Sequence, residues 1–435
     1  MGTKEPKLTT ASVLNGTSTD YAAARIRERT VLKRALQRVL SLVNLQPPAM
    51  HAVPQSTPAK ILFAIPSMLL GGSERVLLNL LHHIDAEHFE PHVVVLEQGG
   101  VWLQNVPPHV RVHELGVWRS RRAVFAFARL CRKIRPQAVL STSAHLNAAV
   151  VAARPLLPMG TSLLAREGAD LTSPQVACGR LRTLVYKQAY RRADLVICQS
   201  DYMMEDLIRK FGLARNKVVR IYNPVDIDSI AVLADLEPNP FSDAGPNLVA
   251  AGRFSHEKGF DLFLRCVPIL RQAIPSISVT LVGDGPDLAA LKAAQRDLRL
   301  DSCVRFVGVH RNPYPFLKHG KLVILPSRTE ALPNVVLEAI ALGTPVVATN
   351  CTPALTEIAC CTRRLHVAKD TTPAALAAEI ICTLANRNAS AEPSPEPQFE
   401  ARFGIRAVIR QYERVLSHII RARQTSMPGS FCLNS

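Results

Sequence analysis

The sequence predicts an α/β protein with two successive domains, each built on a doubly wound parallel sheet. Its 435 residues are too many for one ordinary hydrophobic core. A content of 48% hydrophobic and 20% charged residues is typical of a globular chain. Short apolar runs alternate with helical patterns along most of the chain, which indicates parallel strands covered by helices on both faces.

Residues 1–58 are expected to form a variable extension ahead of the first domain. Leu32, Leu36 and Leu40 recur every four residues with arginines and lysines between them, so a basic amphipathic helix is predicted there. That helix either lies on an anionic membrane or packs on the body of the protein, and the residues leave both alternatives open. A proline-containing linker then leads into the first domain.

The first α/β domain is predicted over residues 59–236. Its first strand, KILFAIPSM, is followed by a glycine-rich turn and an amphipathic helix, GGSERVLLNLLHHI. The later apolar runs are interpreted as further strands: HVVVLEQ, AVLSTS, TSLLARE and DLVICQS. A helix is expected to begin at Asp201, directly after the last of these runs.

The second domain is predicted over residues 237–403, after a polar linker, EPNPFSDAGPN. Its expected strands lie in NLVAAGRF, SVTLVGDG, VRFVGV, LVILPS and TPVVATN. A flexible connector, NRNASAEPSPEPQFE, precedes one final helix, ARFGIRAVIRQYERVLSHIIRAR. Residues 404–435 are expected to bring that helix back to the first domain. Two such domains facing each other place ligands at the carboxyl ends of the strands.

The chain is strongly basic, with 52 lysines and arginines against 35 aspartates and glutamates and a net charge of +17. Such a field attracts anions, but aromatic residues make up only 5% and no basic-and-aromatic pattern for nucleic acid is present. We therefore expect a phosphorylated substrate or an anionic membrane surface as a partner, and no nucleic acid. The ten cysteines are scattered without a CxxC pair, which favours a reducing compartment.

The segments that bear on localisation favour the cytoplasm. The N-terminus lacks the apolar core of a signal peptide, and no run of about 18 apolar residues is uninterrupted. We expect a cytoplasmic protein, either free or peripheral on the cytoplasmic face of the membrane. The basic run 111–135, with eight cations and Glu114, has two interpretations. It is a solvated face, or it holds an anionic membrane or a diphosphate-linked lipid.

The strongest candidate for a site is the segment TEALPNVVLEAIALGTPVV, in which Glu330 and Glu338 are eight residues apart. Pro333 suits the first turn of a helix, so Glu330 is predicted in the preceding loop and Glu338 about one turn inside. The beginning of that helix favours phosphate, and a carboxylate beside phosphate favours the hydroxyls of a ribose or sugar. On their own, two glutamates at this spacing are more often solvated charges.

A second candidate segment, AGRFSHEKGFDLFL, places Arg253 directly after a strand and Lys258 five residues later. Two cations at the carboxyl end of a strand are suited to holding a diphosphate. Positive charge placed there stabilises the negative charge that a departing diphosphate gains during group transfer. Because an arginine and a lysine in a loop are usually surface charges, the interpretation depends on both segments occurring in order on one domain.

Together these segments resemble family four of the retaining glycosyltransferases, whose GT-B fold has two facing Rossmann-like domains. The resemblance covers roughly residues 60–420. It is carried by GRFSHEKGF, LVGDGP, RFVGVHRNPYPFLK, LPSRTEALPNVVLEAIALGTPVVATN and TEI, and by VRIYNPVD at the domain linker. It implies that Arg253 and Lys258 bind the donor diphosphate. Glu330 would contact the donor sugar near the reacting centre, and Glu338 would bind the ribose hydroxyls.

The same resemblance implies further properties of the donor site. Backbone amides would hold the sugar and phosphate at Leu332, Asn334 and Val335, whereas Pro333 has no amide hydrogen. The family's retaining outcome implies same-face substitution, with the leaving phosphate helping to take the acceptor's proton. No metal and no other cofactor is expected, because no acidic DxD-like cluster follows a strand and arginine and lysine can replace its charge.

The first domain offers candidates for the acceptor side. Gly71 and Gly72 begin the segment GGSER, which is similar to a family turn that approaches the diphosphate and the acceptor. Glycine permits close backbone approach there, and an ordinary helix-opening turn is the alternative. His145 and Asn147 follow a predicted strand and are candidates to face the acceptor, and Arg166 ends a strand in a similar position. A lone histidine is more often structural.

The predicted function is retaining transfer of a hexose or N-acetylhexosamine from a nucleotide-sugar, expected to be a UDP-sugar, to an acceptor expected to be a lipid-linked saccharide. Such a reaction belongs to polysaccharide or lipopolysaccharide biosynthesis. Ala331 stands where the family commonly has glycine, and its added methyl group is expected to crowd or tilt the sugar pocket. Asn350 and Ala354 stand where close relatives that act on lipid-linked saccharides often have an aspartate and a glycine, which leaves the identity of the donor sugar open. Two alternatives also stay open, namely a sugar-nucleotide epimerase of the same fold and a non-catalytic scaffold of a polysaccharide-assembly complex.

Overall fold

The computed structural model describes residues 57–69, 71–116, 121–168, 179–241, 245–386 and 395–425. The basic amphipathic helix predicted within the first 58 residues lies outside this part of the chain, as does most of the predicted connector before the final helix. The described residues form two parallel sheets, one of seven strands and one of six, so the predicted class of two α/β domains is confirmed. None of the described helices has the length and apolar content needed to cross a bilayer.

The first sheet has helices on both faces. Its strands are β1 (Ala59–Ile65), β2 (Phe89–Val95), β3 (Arg111–Glu114), β4 (Ala138–Thr142), β5 (Ser162–Arg166), β6 (Leu195–Cys198) and β7 (Val218–Arg220). They pair in the order β3-β2-β1-β4-β5-β6-β7. One face is covered by α2 (Arg121–Ile134), α3 (Ala144–Ala152), α4 (Arg180–Arg192) and α5 (Asp201–Phe211). The other face is covered by α1 (Gly72–His83) and the long C-terminal helix.

The second sheet is built in the same way. Its strands are β8 (Asn247–Ala251), β9 (Ser278–Val282), β10 (Val304–Gly308), β11 (Leu322–Leu325), β12 (Val346–Ala348) and β13 (Leu365–Val367), in the order β10-β9-β8-β11-β12-β13. One face is covered by α6 (Ile227–Asp235), α9 (Tyr314–His319), α10 (Asn334–Ala341), α11 (Ala354–Ala359) and α13 (Pro397–Phe403). The other face is covered by α7 (Phe260–Ala273), α8 (Leu288–Asp297) and α12 (Pro373–Ala385).

The final helical segment is two helices, so the prediction of a single helix is wrong. α13 and α14 (Ile405–Thr425) meet at Gly404, which has an extended conformation. The amide of Ile405 donates to the carbonyl of Val225, which lies on the first crossing between the sheets. A side chain at Gly404 would lie 2.5 Å from the carbonyl oxygen of Glu400, so this turn requires glycine.

The chain crosses between the sheets a second time at this turn, and α14 packs on the first sheet. Val408, Tyr412 and Leu416 are fully buried in the same cluster as Ile61 and Phe63 of β1. Burial of these large side chains contributes roughly 1.5–3 kcal/mol each to folding. The first domain therefore includes a helix from the end of the sequence.

Three edge strands, β3, β7 and β13, are not among the predicted strands, and β7 has only three residues. β3 has only four residues, RVHE, and falls in the basic run 111–135. β13 has only three residues. An edge strand pairs on one side only, so it can be short and polar and still complete a sheet. The rest of the basic run is not a fully solvated face, because Phe127, Cys131 and Ile134 of α2 are buried.

Candidate active site

Two loops of the second sheet carry most of the candidate residues. Arg253 and Lys258 lie after β8, and Glu330 lies between β11 and α10. Because β8 and β11 are neighbours in a parallel sheet, these loops meet at the edge formed by the carboxyl ends of the strands. α10 begins at Asn334, so Glu330 lies in the preceding loop and Glu338 just over one turn inside the helix, as predicted.

Lys258 and Glu330 form an ion pair at this edge. Lys258 Nζ lies 2.7 Å from Glu330 Oε1, and the same oxygen accepts a hydrogen bond from Ser327 Oγ at 2.8 Å. Burial lowers the pKa of Lys258, but the charge and hydrogen bond of Glu330 outweigh it and hold this pKa above its usual value. Lys258 is therefore a cation at neutral pH, and the exposed Arg253 adds a second positive charge after β8.

The position of Lys258 depends on a close approach between the two loops. Lys258 ends a short 3-10 turn, His256–Lys258, and Gly259 follows with a left-handed φ of 64°. A side chain at Gly259 would lie 2.0 Å from the carbonyl oxygen of Pro326, the residue directly after β11. Only glycine combines this φ with that contact, so it allows the loop after β8 to touch the loop after β11.

An arginine that the sequence did not single out also joins the two loops. Arg328 Nη1 and Nη2 donate to the two carboxylate oxygens of Asp261, each at 2.7 Å. Arg328 Nη1 also donates to the carbonyl of His256 at 2.7 Å. Burial raises the pKa of Asp261, but the hydrogen bonds from Arg328 outweigh it and hold this pKa below its usual value. This two-point contact holds Glu330 against the loop that carries Lys258.

Glu338 is paired across the cleft with Arg75 of the first domain. Arg75 Nη1 lies 2.5 Å from Glu338 Oε1, and the two side chains are 25% and 8% exposed. The guanidinium also lies 6.0 Å from the ring centroid of Trp102 and 5.5 Å from that of Tyr314. Burial lowers the pKa of Arg75, but the carboxylate of Glu338 outweighs it and raises this pKa. A buried ion pair thus occupies the position predicted to bind ribose.

The glycine turn of the first domain contacts the beginning of α10. Asn334 Nδ2 donates to the carbonyl of Gly72 at 3.1 Å, and a side chain at Gly72 would lie 3.0 Å from that nitrogen. Asn223, on the domain crossing, donates to Asn334 Oδ1 at 2.6 Å and to the carbonyl of Leu332 at 3.3 Å. Gly72, Leu332 and Asn334 are therefore close together, with Gly71 just before them. The binding roles predicted for the amides of Leu332, Asn334 and Val335 stay predictions.

A second contact between the domains involves Glu357, for which the sequence predicted no role beyond its place in the TEI segment. Its carboxylate accepts from the amides of Asp201 and Tyr202, at 2.9 and 3.1 Å, and so caps the beginning of α5. Tyr222 Oη donates to the same carboxylate at 2.8 Å. Glu357 therefore fixes the second domain to the first.

His145 lies at the first turn of α3, and its side chain contacts α4. Tyr186 Oη lies 2.5 Å from His145 Nδ1, and Arg182 Nη2 lies 3.0 Å from His145 Nε2. The histidine is exposed at the cleft end of the sheet. Its predicted contact with an acceptor stays a prediction, and these neighbours fix the ring.

Arg166 and Asn147 are less accessible than the sequence implied. Arg166 ends β5 but is 2% exposed, and it donates to Tyr412 Oη at 3.1 Å and to Asn223 Oδ1 at 2.7 Å. Asn147 is fully buried, where it accepts from Ser141 Oγ and donates to the carbonyl of Arg166. The prediction that Asn147 faces an acceptor is therefore wrong, because its amide completes a hydrogen-bond network inside the domain.

Two family models match the chain, one for each sheet. The model described as Glycosyltransferase Family 4 matches residues 70–229. The model described as Glycosyl transferases group 1 matches residues 245–386, which include Lys258, Glu330 and Glu338. Together the two matches cover more than half of the chain and both sides of the cleft.

Curated relatives of the chain are also glycosyltransferases. An uncharacterized glycosyltransferase of Methanocaldococcus jannaschii is 31% identical over 183 residues, which are 41% of this chain and 45% of that protein. The chain thus matches less than half the length of this relative. The N-acetylgalactosamine-N,N'-diacetylbacillosaminyl-diphospho-undecaprenol 4-alpha-N-acetylgalactosaminyltransferase of Campylobacter jejuni is 25% identical over 297 residues, 64% of this chain and 78% of the relative.

The fold is shared with solved glycosyltransferase structures. The crystal structure of HepE from Anabaena, in complex with UDP and glucose, superposes with a TM-score of 0.68 at 21% sequence identity. The superposition covers 82% of this chain and 99% of that one, so it includes both α/β domains. Since a family model matches each domain and both domains superpose together on a solved structure, the chain belongs to glycosyltransferase family four and has the GT-B fold.

Proposed function

We propose that the chain is a retaining glycosyltransferase that moves a hexose or N-acetylhexosamine from a UDP-sugar to a lipid-linked saccharide. The observation that carries this proposal is the pair of Lys258 and Glu330, 2.7 Å apart at the sheet edge that meets the glycine turn of the first domain. A cation and an acid held together at this edge offer one group to a departing diphosphate and one to the donor sugar.

In the proposed reaction, the donor diphosphate lies against Lys258 and Arg253. Negative charge collects on the phosphate oxygen as its bond to the sugar breaks, and cations already in place stabilise that charge. The acceptor hydroxyl enters from the same face of the sugar and passes its proton to the leaving phosphate, so the anomeric configuration is retained. Glu330 is proposed to hold the sugar and not to act as a base, since its Oε1 is already bonded to Lys258 and Ser327.

We propose that the reaction requires no metal ion. Lys258 and Arg253 supply positive charge at the position where the diphosphate is expected, and the loops after β8 and β11 offer no pair of neighbouring aspartates. The chemistry that a divalent cation performs in other nucleotide-sugar transferases is then performed by two side chains. Activity that survives treatment with a chelator, and that does not rise on addition of Mg²⁺ or Mn²⁺, is the expected result.

Glu338 is proposed to bind the ribose through Oε2, because Oε1 is bonded to Arg75. A carboxylate next to a diphosphate would repel it, but the guanidinium of Arg75 compensates the charge of Glu338. The remaining carboxylate oxygen can accept hydrogen bonds from the ribose hydroxyls. The ion pair across the cleft thus makes the nucleotide site compatible with two phosphates.

The proposed lipid-linked acceptor is supported by the amino-terminal turns of α2 and α4. Phe125, Leu181 and Leu184 are 65%, 59% and 57% exposed, and arginines and lysines accompany them on both helices. These turns follow β3 and β5, so they lie on the cleft side of the first sheet. Large exposed apolar groups among cations suit a surface that meets lipid and its phosphates, and we propose that an anionic membrane contacts it. The Campylobacter relative is named for a diphospho-undecaprenol acceptor.

The test uses a panel of UDP-, GDP- and ADP-sugars carrying a radiolabelled sugar, with the purified chain and a membrane lipid extract. A UDP-sugar is expected to raise the melting temperature and to pass its label into the lipid fraction. The matched control, Lys258→Ala together with Arg253→Ala, should transfer no label. Formation of an epimer without any acceptor would identify an epimerase, and binding without transfer would identify a scaffold. A preference for a GDP- or ADP-sugar would overturn the choice of donor.

A further inference from the structure

Arg166 is a buried cation whose hydrogen-bond partners are neutral. Its Nε donates to Tyr412 Oη at 3.1 Å, and its Nη2 donates to Asn223 Oδ1 at 2.7 Å. Among the described residues, no aspartate or glutamate forms an ion pair with it. Glu167 comes next in the sequence, but its side chain lies on the opposite face of the sheet, where it accepts from Tyr190 Oη.

One nitrogen of this guanidinium has no hydrogen-bond partner among the residues that the structure describes. Arg166 Nη1 is buried and forms no hydrogen bond within the described part of the chain. Burying a charge without a counter-charge is unfavourable, and an unsatisfied buried donor adds to that cost. The bonds to Tyr412 and Asn223 fix the position of the Arg166 side chain, but they do not use Nη1. An anionic oxygen at Nη1 would remove both costs.

The space next to Nη1 is lined by other polar groups. A methyl group built on Gly168 would lie 3.9 Å from Arg166 Nη1 and 3.5 Å from Ser73 Oγ. It would lie 3.3 Å from Gln199 Nε2, which uses one of its hydrogens on the carbonyl of Glu167. Gly168 carries no side chain, so within the described part of the chain no side chain fills the point where these three groups converge.

This space is continuous with the cleft. Ser73 follows Gly72 in the turn that contacts Asn334 of the second domain. Ser73 and Gly168 are partly exposed, whereas Arg166 lies below them. A ligand entering the cleft from the Gly72 side would therefore meet Ser73 first and place an oxygen above the guanidinium.

We propose that this space is an anion subsite that takes one oxygen of a phosphate group. Arg166 Nη1, Ser73 Oγ and Gln199 Nε2 would donate to it. A cation with several converging donors matches a phosphate oxygen better than a neutral sugar hydroxyl, because charge-assisted hydrogen bonds are roughly twice as strong as neutral ones. The inference rests on the proposed function, and the phosphate has two sources: the distal phosphate of the nucleotide donor, or a phosphate of the lipid-linked acceptor.

The experiment measures binding by calorimetry to the full chain, in the wild type and three variants. Arg166→Gln removes the cation, and Gly168→Ala fills the space while leaving Arg166 and its two bonds in place. Arg215→Gln, at an arginine that is 69% exposed outside the cleft, is the matched control. The titrants are UMP, UDP and inorganic pyrophosphate, the last both alone and with the protein saturated with UDP.

If the subsite exists, Arg166→Gln and Gly168→Ala should each bind the titrant whose phosphate occupies it roughly 10- to 100-fold more weakly than the wild type. The control, Arg215→Gln, should bind like the wild type. If the donor's distal phosphate occupies it, UDP binding weakens while UMP binding does not. If an acceptor phosphate occupies it, UDP binding is unchanged and pyrophosphate binding to the UDP-saturated protein is lost. The proposal is overturned if Gly168→Ala, which spares the guanidinium network, binds every titrant within twofold of the wild type.

These outcomes separate the subsite from the proposed function. Pyrophosphate that binds the wild type through Arg166, in a protein that binds no uridine nucleotide, would keep the subsite and remove the proposed donor. UDP that binds all four proteins alike, with no pyrophosphate binding that depends on Arg166, would keep the donor and remove the subsite. An equal loss for UMP, UDP and pyrophosphate in Arg166→Gln, with Gly168→Ala unaffected, would mean that Arg166 is only structural.

Discussion

The two sides of the cleft hold their charged residues in different ways. On the second-domain side, Lys258 is paired with Glu330, and Arg328 is paired with Asp261 through two hydrogen bonds. On the first-domain side, Arg166 has only neutral partners among the described residues, and its Nη1 has no hydrogen bond to any of them. The charges of Lys258 and Arg328 are thus compensated in the absence of ligand, whereas the buried Arg166 has no counter-charge among the described residues.

The difference indicates that the two sides of the cleft have different roles. Paired charges fix each other's geometry before a ligand binds, as electrostatic stabilisation of a transition state requires. An unpaired cation gains its counter-charge from what binds, so it is suited to selecting a ligand. We therefore propose that the second-domain side carries the chemistry and that the first-domain side carries part of the ligand recognition. The predictions below test that assignment in order of decreasing effect.

The largest effect is expected for Lys258→Ala. Removing the cation that is proposed to stabilise the departing diphosphate should lower kcat by about 100- to 1000-fold, with a smaller change in the KM for the UDP-sugar. Initial rates of UDP release measure both constants. Lys321→Ala, at an exposed lysine of the same domain, is the control and should keep the wild-type rate. A wild-type kcat in Lys258→Ala would show that the pairing with Glu330 is merely structural. The second-domain side would then not carry the chemistry proposed for it.

A smaller effect, on stability, is expected for Gly259→Ala. Alanine in the left-handed region costs about 1–2 kcal/mol, and the contact with the carbonyl of Pro326 should bring the total to about 2–4 kcal/mol. Gly308→Ala is the matched control, since Gly308 has a φ of 76° with no atom within 4 Å of the added carbon. Urea unfolding should show Gly259→Ala as clearly less stable than Gly308→Ala. Equal losses of stability in the two variants would mean that the loops after β8 and β11 can move apart at little cost.

The same contrast explains what the sequence could and could not predict. Lys258 and Glu330 each lie in a distinctive local pattern, after a strand or before a helix, so both could be placed without a structure. The pairing of Arg328 with Asp261 joins residues that are 67 positions apart, and no local pattern marks it. Sequence periodicity located the main strands, because buried parallel strands are continuous apolar runs.

The first-domain side was harder to predict for a physical reason. Arg166 depends on Tyr412, which is 246 positions away on a helix from the end of the chain. In the sequence, Asn147 follows a strand closely, as residues that contact a ligand often do. Its side-chain amide instead forms hydrogen bonds inside the domain. Whether a polar side chain at the end of a strand faces the cleft or the core depends on the packing of distant helices. A single sequence contains no local signal for that packing.

A tenfold effect on nucleotide binding is expected for Glu338→Ala. The variant loses the oxygen proposed to bind ribose, and it leaves the guanidinium of Arg75 without its carboxylate. We expect the Kd for UDP to rise about 10-fold, which corresponds to about 1.4 kcal/mol. Calorimetric titration with UDP measures it, and Glu379→Ala, on α12, should bind like the wild type. Unchanged UDP affinity in Glu338→Ala would show that the ion pair across the cleft only joins the domains.

The smallest effect is expected for the pair of Arg328 and Asp261, which was not predicted from the sequence. The side chain of Asp261 is about one third exposed, so Asp261→Asn should cost less than about 1 kcal/mol at pH 7. Because the pKa of Asp261 is lowered in the folded state, this stability is present above the unfolded value of about 3.9 and is lost as the pH falls through the folded value. The difference in urea midpoint between wild type and Asp261→Asn should therefore shrink as the pH is lowered to the limit of folding. Asp297→Asn, at an exposed aspartate on α8, is the control. If the difference for Asp261→Asn instead grows toward acid pH, the pair with Arg328 does not stabilise the second-domain side of the cleft.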